Sequence, residues 1–229
     1  MSWLRQKGLR FLVKSAGFLF LIGATVFAIA YFTTDIPDPK EYVNSQATII
    51  QYANGDELGR IGAQNRTNIP LAQIPIHLRH AVLAAEDRNF YSQGAFNPLG
   101  MLRGAINTVL GRGLQGGSTI TQQYAKTAFL SSERTIQRKI IELVIAIKLE
   151  NQLSKDQIFE NYLNTIYFGR GAYGVETGAQ VYFGKSADQL NTAEASVLAA
   201  ILRSPGYYDP DYREGNKERL DARYKYVLN

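Results

Sequence analysis

The 229 residues contain no cysteine, two histidines, two methionines and a single tryptophan. Without cysteine there is no disulfide framework and no thiolate metal site. Two histidines, His77 and His80, cannot make a zinc cluster without carboxylate help, and a surface pair on one helix is the plainer reading of their spacing. Acidic residues are missing from the first 34 positions, where Arg5, Lys7, Arg10 and Lys14 stand alone. That segment carries four of the five net positive charges, so the remaining chain is close to neutral. A nearly neutral body lacks the concentrated basic footprint that binds nucleic acid. Between His77 and Pro205 only Pro98 interrupts the chain, which leaves room for long helices. Ser-x-x-Lys, an acylation motif with a serine nucleophile, occurs nowhere.

What is present begins with Ser15–Thr33, SAGFLFLIGATVFAIAYFT, which passes without a charge. At 1.5 Å per residue such a helix reaches roughly 28 Å, the thickness of a bilayer's hydrocarbon core. Basic residues precede it, and Asp35, Asp38 and Glu41 follow it. The positive-inside rule then sets the N-terminus in the cytoplasm and the body outside. A cleaved signal peptide is the rival reading. The run is long for one, and no small-x-small site closes it.

After a stiff Ile36-Pro-Asp-Pro39 exit, Thr48–Tyr52 and Glu57–Ile61 flank Asn54-Gly55, a hairpin signal. The body is mainly α. Helical periodicity marks Leu78–Phe90, Leu99–Leu110, Thr119–Phe129, Thr135–Gln152, Lys155–Tyr167, Ala172–Phe183, Thr192–Arg203 and a tail helix near Lys217–Leu228. No internal repeat is visible.

Three constellations carry chemistry. In RKIIELVIAI, Arg138–Ile147, a lone carboxylate, Glu142, stands in an apolar run. Arg138 and Lys139 lie four and three residues before it, so all three meet on one helix side. The stripe Ile136, Ile140, Val144, Ile147 points roughly the other way. An intrahelical ion pair explains this much. In Ala84-Ala85-Glu86-Asp87-Arg88-Asn89-Phe90, small residues at 81, 84 and 85 allow close backbone approach, and Glu86 is a candidate general base. A solvated helix end explains adjacent carboxylates equally well. In Gly116-Gly117-Ser118-Thr119-Ile120-Thr121-Gln122-Gln123, Thr119-x-x-Gln122 reads as a capping box after a glycine turn, with Lys126 one turn on. A plain loop and cap is the simpler account.

Together these stretches resemble the peptidoglycan glycosyltransferase domain of class A penicillin-binding proteins and monofunctional transglycosylases. Five motifs appear in order: Glu86-Asp87-Arg88-Asn89-Phe90; Gly117 to Gln123 with Lys126; Arg138-Lys139-x-x-Glu142; Lys155 through Glu160-Asn161-Tyr162-Leu163-Asn164; and Arg170-Gly171, Gly174 and Tyr182-Phe183-Gly184-Lys185. The likeness covers roughly residues 45–229. It departs at Ser92-Gln93-Gly94-Ala95, where the family usually has His then Gly, and at Thr127, where Asn is common.

The resemblance implies a lysozyme-like fold that is mainly α with a small β-hairpin and one N-terminal transmembrane helix. Charge, hydropathy and turn signals give a basic tail over 1–14, the span over 15–33 and a hairpin linker over 34–74; the resemblance adds the catalytic domain over 75–212 and a C-terminal helix over 213–229 that leads into a further domain. By the same analogy Glu86 and Glu142 are catalytic. Ser118, Thr119, Gln122, Gln123, Lys126, Arg138, Lys139 and Asn164 bind substrate. The implied reaction polymerises lipid II into β-1,4 glycan with release of polyprenyl pyrophosphate. Lipid II, the growing glycan strand and the membrane are the expected partners, with other wall-synthesis proteins as further candidates and no nucleic acid. No tightly bound cofactor or metal is expected; magnesium or manganese can assist at the pyrophosphate. The apolar stretch Leu99–Leu114, with Arg103 and Arg112, is read as dipping into the outer leaflet in preference to a core helix. A lysozyme-like hydrolase with Glu86 as acid, or a non-catalytic wall-synthesis scaffold, are the alternatives.

Overall fold

The computed structural model describes residues 2–36, 48–53, 57–61, 65–110, 117–130 and 135–228. The Pro37–Pro39 exit and the Asn54-Gly55 turn lie outside them.

Helix α1 runs over Ser2–Thr33. Its stretch Val13–Thr33 has a mean hydropathy of 2.0, and none of it is buried against the rest of the molecule. Twenty-one such residues reach about 32 Å, enough to cross a bilayer. The hydroxyls of Thr25 and Thr33 donate to the carbonyls of Leu21 and Ile29 at 2.9 and 2.8 Å, so neither is left unsatisfied in an apolar medium. Beyond the helix end, Lys148 Nζ donates to the Thr34 carbonyl at 2.7 Å and lies 5.0 Å from the centroid of Tyr31. A lysine at a helix C-terminus satisfies free carbonyls and suits the dipole.

Strands β1 (Thr48–Gln51) and β2 (Glu57–Ile61) pair antiparallel, with Thr48 opposite Ile61. This is the expected hairpin. A second, three-stranded element is built from β3 (Asn65–Arg66), β4 (Tyr167–Gly169) and β5 (Ala172–Tyr173), with β5 in the centre.

The body is helical: α2 (Ile76–Glu86), α3 (Pro98–Val109), α4 (Ile120–Phe129), α5 (Ile136–Gln152), α6 (Lys155–Thr165), α7 (Val175–Phe183), α8 (Thr192–Leu202), the single turn α9 (Pro205–Tyr208) and α10 (Asn216–Leu228). The expectation of a mainly α chain is met. Polar caps set where several helices begin. Thr119 with Gln122, Ser154 with Gln157 and Asn191 with Glu194 form complete capping boxes, each worth about 1 kcal/mol at the N-cap. Helix α8 is apolar nearly all round and is the centre of the body, packing against α2 and α10. Helix α4 lies between α5 and α6. The core they share includes Leu78, Val82, Phe90, Ile120, Tyr124, Leu149, Phe159, Leu163, Phe168 and Leu198.

Periodicity overruns in two places. The expected helix Leu78–Phe90 stops at Glu86, and the residues up to Phe90 form a turn. The expected helices Lys155–Tyr167 and Ala172–Phe183 run into residues 167–173, which form β4, β5 and a tight reversal. Gly169, Arg170 and Gly171 have φ of 95°, 51° and 75°, and three left-handed residues in succession cannot continue a helix. Arg170 is locked there by Asp209 and Asp211, with Nε and Nη2 each 2.7 Å from one of their oxygens. At Gly174, φ is 82° and a Cβ would lie 2.8 Å from the carbonyl oxygen of Asn164, so only glycine fits.

Candidate active site

Glu86 closes the last turn of α2. Its Oε2 accepts from Gln123 Nε2 at 2.9 Å, and Gln123 Oε1 in turn accepts from the Tyr162 hydroxyl at 3.2 Å. Its Oε1 is buried without a hydrogen bond, 3.6 Å from Arg223 Nη2. Burial pushes the Glu86 pKa above the ordinary glutamate value of 4.5. The Gln123 hydrogen bond, Arg223, Arg203 and Lys126 oppose that rise, in decreasing order. Tyr162 is driven well above the usual phenol range by its burial, and the charges of Glu86 and Asp87 add to the effect.

Asp87, the next residue, does something else. Its Oδ2 accepts from the Ile120 backbone N–H at 3.1 Å and its Oδ1 accepts from Gln93 Nε2. A carboxylate at the first residue of α4 satisfies an orphan N–H and the positive end of the helix dipole. The adjacent acids thus divide: Glu86 enters the cleft, and Asp87 clamps α2 to the start of α4. Gln93, where the family pattern usually has His, completes the clamp and also accepts from Asn97 Nδ2 at 3.1 Å. Phe90 anchors the same turn in the core beside Phe159 and carries Lys155 over its ring at 4.5 Å.

The second carboxylate lies across α4. Glu142 on α5 is only 1% exposed. Arg138 Nη1 stands 3.4 Å from Oε2, and Lys139 Nζ is in contact with Oε1. Lys139 also donates to Ser118 Oγ at 3.0 Å, joining the glycine turn to α5. The ion pairs are those the helical spacing predicts. The stripe is not: Ile136 is 83% exposed, because Thr135 caps the helix there and the first turn projects beyond the core. Lys126 joins the two acids. Its ammonium is depressed by loss of water around it and by Lys139 and Arg138, while Glu142 and Glu86 both pull it back up. Lys126 is thus within electrostatic range of both carboxylates.

Gln123 and Lys126 of α4 thus link Glu86 to the group formed by Ser118, Arg138, Lys139 and Glu142, which together are the candidate site. Three other residues that the motifs single out are part of the frame. Thr119 Oγ1 donates to the Ala95 carbonyl at 2.8 Å and accepts from the Gln122 backbone at 3.2 Å; Gln122 Oε1 accepts from the Thr119 N–H at 3.0 Å. Both side chains are buried, and Gln122 Nε2 has no partner. Asn164, 6% exposed, accepts from the Ile69 N–H at 3.0 Å and donates to the Ile69 carbonyl at 2.9 Å. A side chain spent on its own scaffold is a poor substrate contact, so the structure draws Thr119, Gln122 and Asn164 away from that role.

Arg223 on α10 and Arg203, just past the end of α8, act on Glu86 by their charge and have no local signal in sequence. Glu150 was likewise invisible; it accepts from Thr121 Oγ1 at 2.5 Å and Lys155 Nζ at 2.7 Å. Among the described residues no three metal-binding side chains converge.

The profile of the transglycosylase family matches residues 54–229. Penicillin-binding protein 1A of Mycobacterium tuberculosis is 41% identical over 234 residues, a match that spans 100% of this chain and 28% of that protein. The proteins of the same description from Mycolicibacterium smegmatis and Aquifex aeolicus are 44% and 46% identical, covering 91% and 90% of this chain. The chain thus spans little more than a quarter of the length of these relatives.

Proposed function

This chain belongs to the transglycosylase family, and we propose that it is a membrane-anchored peptidoglycan glycosyltransferase. It joins lipid-linked disaccharides, lipid II, into β-1,4 glycan and releases polyprenyl pyrophosphate. The observation that carries this reading is a division of labour between two carboxylates: Glu86 holds one oxygen free of any hydrogen bond among the described residues, while Glu142 gathers Arg138 and Lys139 into a cationic cluster.

The chemistry follows from that division. Glu86 accepts the proton of an acceptor sugar hydroxyl. The hydroxyl oxygen forms a bond to the donor's C1, and the C1–O bond to pyrophosphate breaks with its electron pair leaving on the phosphate oxygen. Attack from the face opposite the leaving group inverts the anomeric centre. Lys126, Arg138 and Lys139 receive the pyrophosphate charge as it develops. Glu142 keeps Arg138 and Lys139 in register, and Ser118 holds the Lys139 ammonium from the other side. The donor carries its own activation, so no nucleotide takes part. A magnesium or manganese ion enters only as a companion of the substrate's pyrophosphate.

Helix α1 supplies the anchor, with the basic tail on the cytoplasmic side and the cleft outside. Exposed Leu99, Ile106 and Leu110 on and after α3 support contact with the outer leaflet, where the polyprenyl chain resides. The chain continues into a further domain in this reading, as the length of its relatives suggests.

Labelled lipid II incubated with the purified protein tests the proposal. Polymer on a gel that depends on both Glu86 and Lys139 supports it. Cleavage of preformed glycan without polymer formation hands the cleft to the hydrolase reading, with Glu86 as acid; no product of either kind leaves the scaffold.

A further inference from the structure

Helix α10 is strongly polar, yet it buries an arginine: Arg223 is 8% exposed. Burying a guanidinium is costly unless it finds partners. Its Nη2 donates to the Ala85 carbonyl at 2.6 Å, and its guanidinium carbon lies 4.6 Å from the centroid of Tyr226. Ala85 is in the final turn of α2, where carbonyls lack helical partners. A helix-end cap accounts for that contact. It does not account for the next one. The same Nη2 stands 3.6 Å from Glu86 Oε1, within range of its charge but beyond hydrogen-bonding distance. Oε1 is buried and, among the described residues, has no hydrogen-bond donor.

We propose that Arg223 is a positioning residue for Glu86: it is fixed on the Ala85 carbonyl so that its charge stabilises the carboxylate while the Oε1 lone pair stays free to take a proton. A direct hydrogen bond would occupy that lone pair. Without the charge, a buried carboxylate drifts toward its protonated form and ceases to be a base. The other groups facing Glu86 are Gln123 and Lys126 from α4, Tyr162 from α6, Arg203 just past the end of α8 and the neighbouring Asp87. Arg223 is the nearest cation, so removing it has the largest effect on the carboxylate's charge. The inference rests on Glu86 being the base.

The test is the pH profile of kcat/KM for lipid II polymerisation by the full chain. In Arg223→Gln the acid limb moves to higher pH, with about a tenfold loss at the acid end for each pH unit of displacement, and the loss shrinks as pH rises. Arg223→Lys keeps the charge and holds the limb near its wild-type position. If the glutamine variant does not fold, Arg223→Met retains the stem against Tyr226 and is read in the same way. A loss of equal factor at every pH, or an unmoved limb in a folded neutral variant, overturns the proposal. Glu86→Gln run alongside separates the two assignments. Polymer from folded Glu86→Gln removes the base itself. An inactive Glu86→Gln with an unmoved limb in Arg223→Gln removes only the role of Arg223.

Discussion

The two cleft carboxylates are both buried glutamates on helices, and their surroundings make them opposites. Glu142 sits among its own helix neighbours, with Arg138 and Lys139 on its two oxygens. Glu86 has a neutral amide on one oxygen and a cation held just out of hydrogen-bonding range of the other. A saturated carboxylate organises cations; an unsaturated one retains a lone pair for chemistry. Residue type is shared, and partner geometry decides the role.

The comparison breaks most visibly at Glu86. Glu86→Gln keeps size and polarity but cannot accept a proton, so the polymerisation rate falls on the order of 10²–10⁴-fold while lipid II affinity persists. Its stability carries an independent signature. Burial raises the Glu86 pKa in the folded protein, so the charged form weakens folding: the native state is favoured below the unfolded pKa, and that advantage is lost as pH rises through the folded one. The melting temperature of Glu86→Gln relative to wild type therefore rises as pH rises from acid to neutral. A constant difference across that range denies the burial effect.

Glu142→Gln takes the other direction. It removes the shared partner of Arg138 and Lys139, and the side chains left behind are partly solvated. We expect about 1–3 kcal/mol of lost stability at neutral pH, with rate and donor affinity falling together. Urea titration and lipid II binding on the same variant read both effects. Lys139→Ala is milder: it loses one leaving-group contact and the Ser118 tie, for roughly tenfold weaker donor binding with folding largely retained. The smallest effect on catalysis belongs to Asn164→Ala. Losing two bonds to Ile69 costs about 1–3 kcal/mol of stability, but in the fraction that remains folded KM stays at the wild-type value. A rise in KM would return Asn164 to the cleft.

The features legible in sequence were those set within a few residues. An uncharged stretch of bilayer length identifies α1. The i, i+3 and i, i+4 spacing from Lys139 and Arg138 to Glu142 places three charges together whatever the helix packs against. Thr119-x-x-Gln122 announces its own cap. The ordered motifs assembled these pieces into a family. Other features depended on chain segments far apart. Arg223 meets Ala85 across 138 positions, and Asn164 meets Ile69 across 95. No periodicity encodes such meetings; packing of α10 and α6 against the body makes them. For the same reason a motif cannot separate a residue that faces substrate from one that supports it. Thr119 and Gln122 stand in the same motif as Gln123 and Lys126, and Asn164 in another, yet only burial and hydrogen-bond partners show which of them support the frame. Even the reversal at Gly169–Gly171 was hidden, since Arg170 adopts a left-handed backbone that its own residue type disfavours. Asp209 and Asp211, about forty residues away, hold it there.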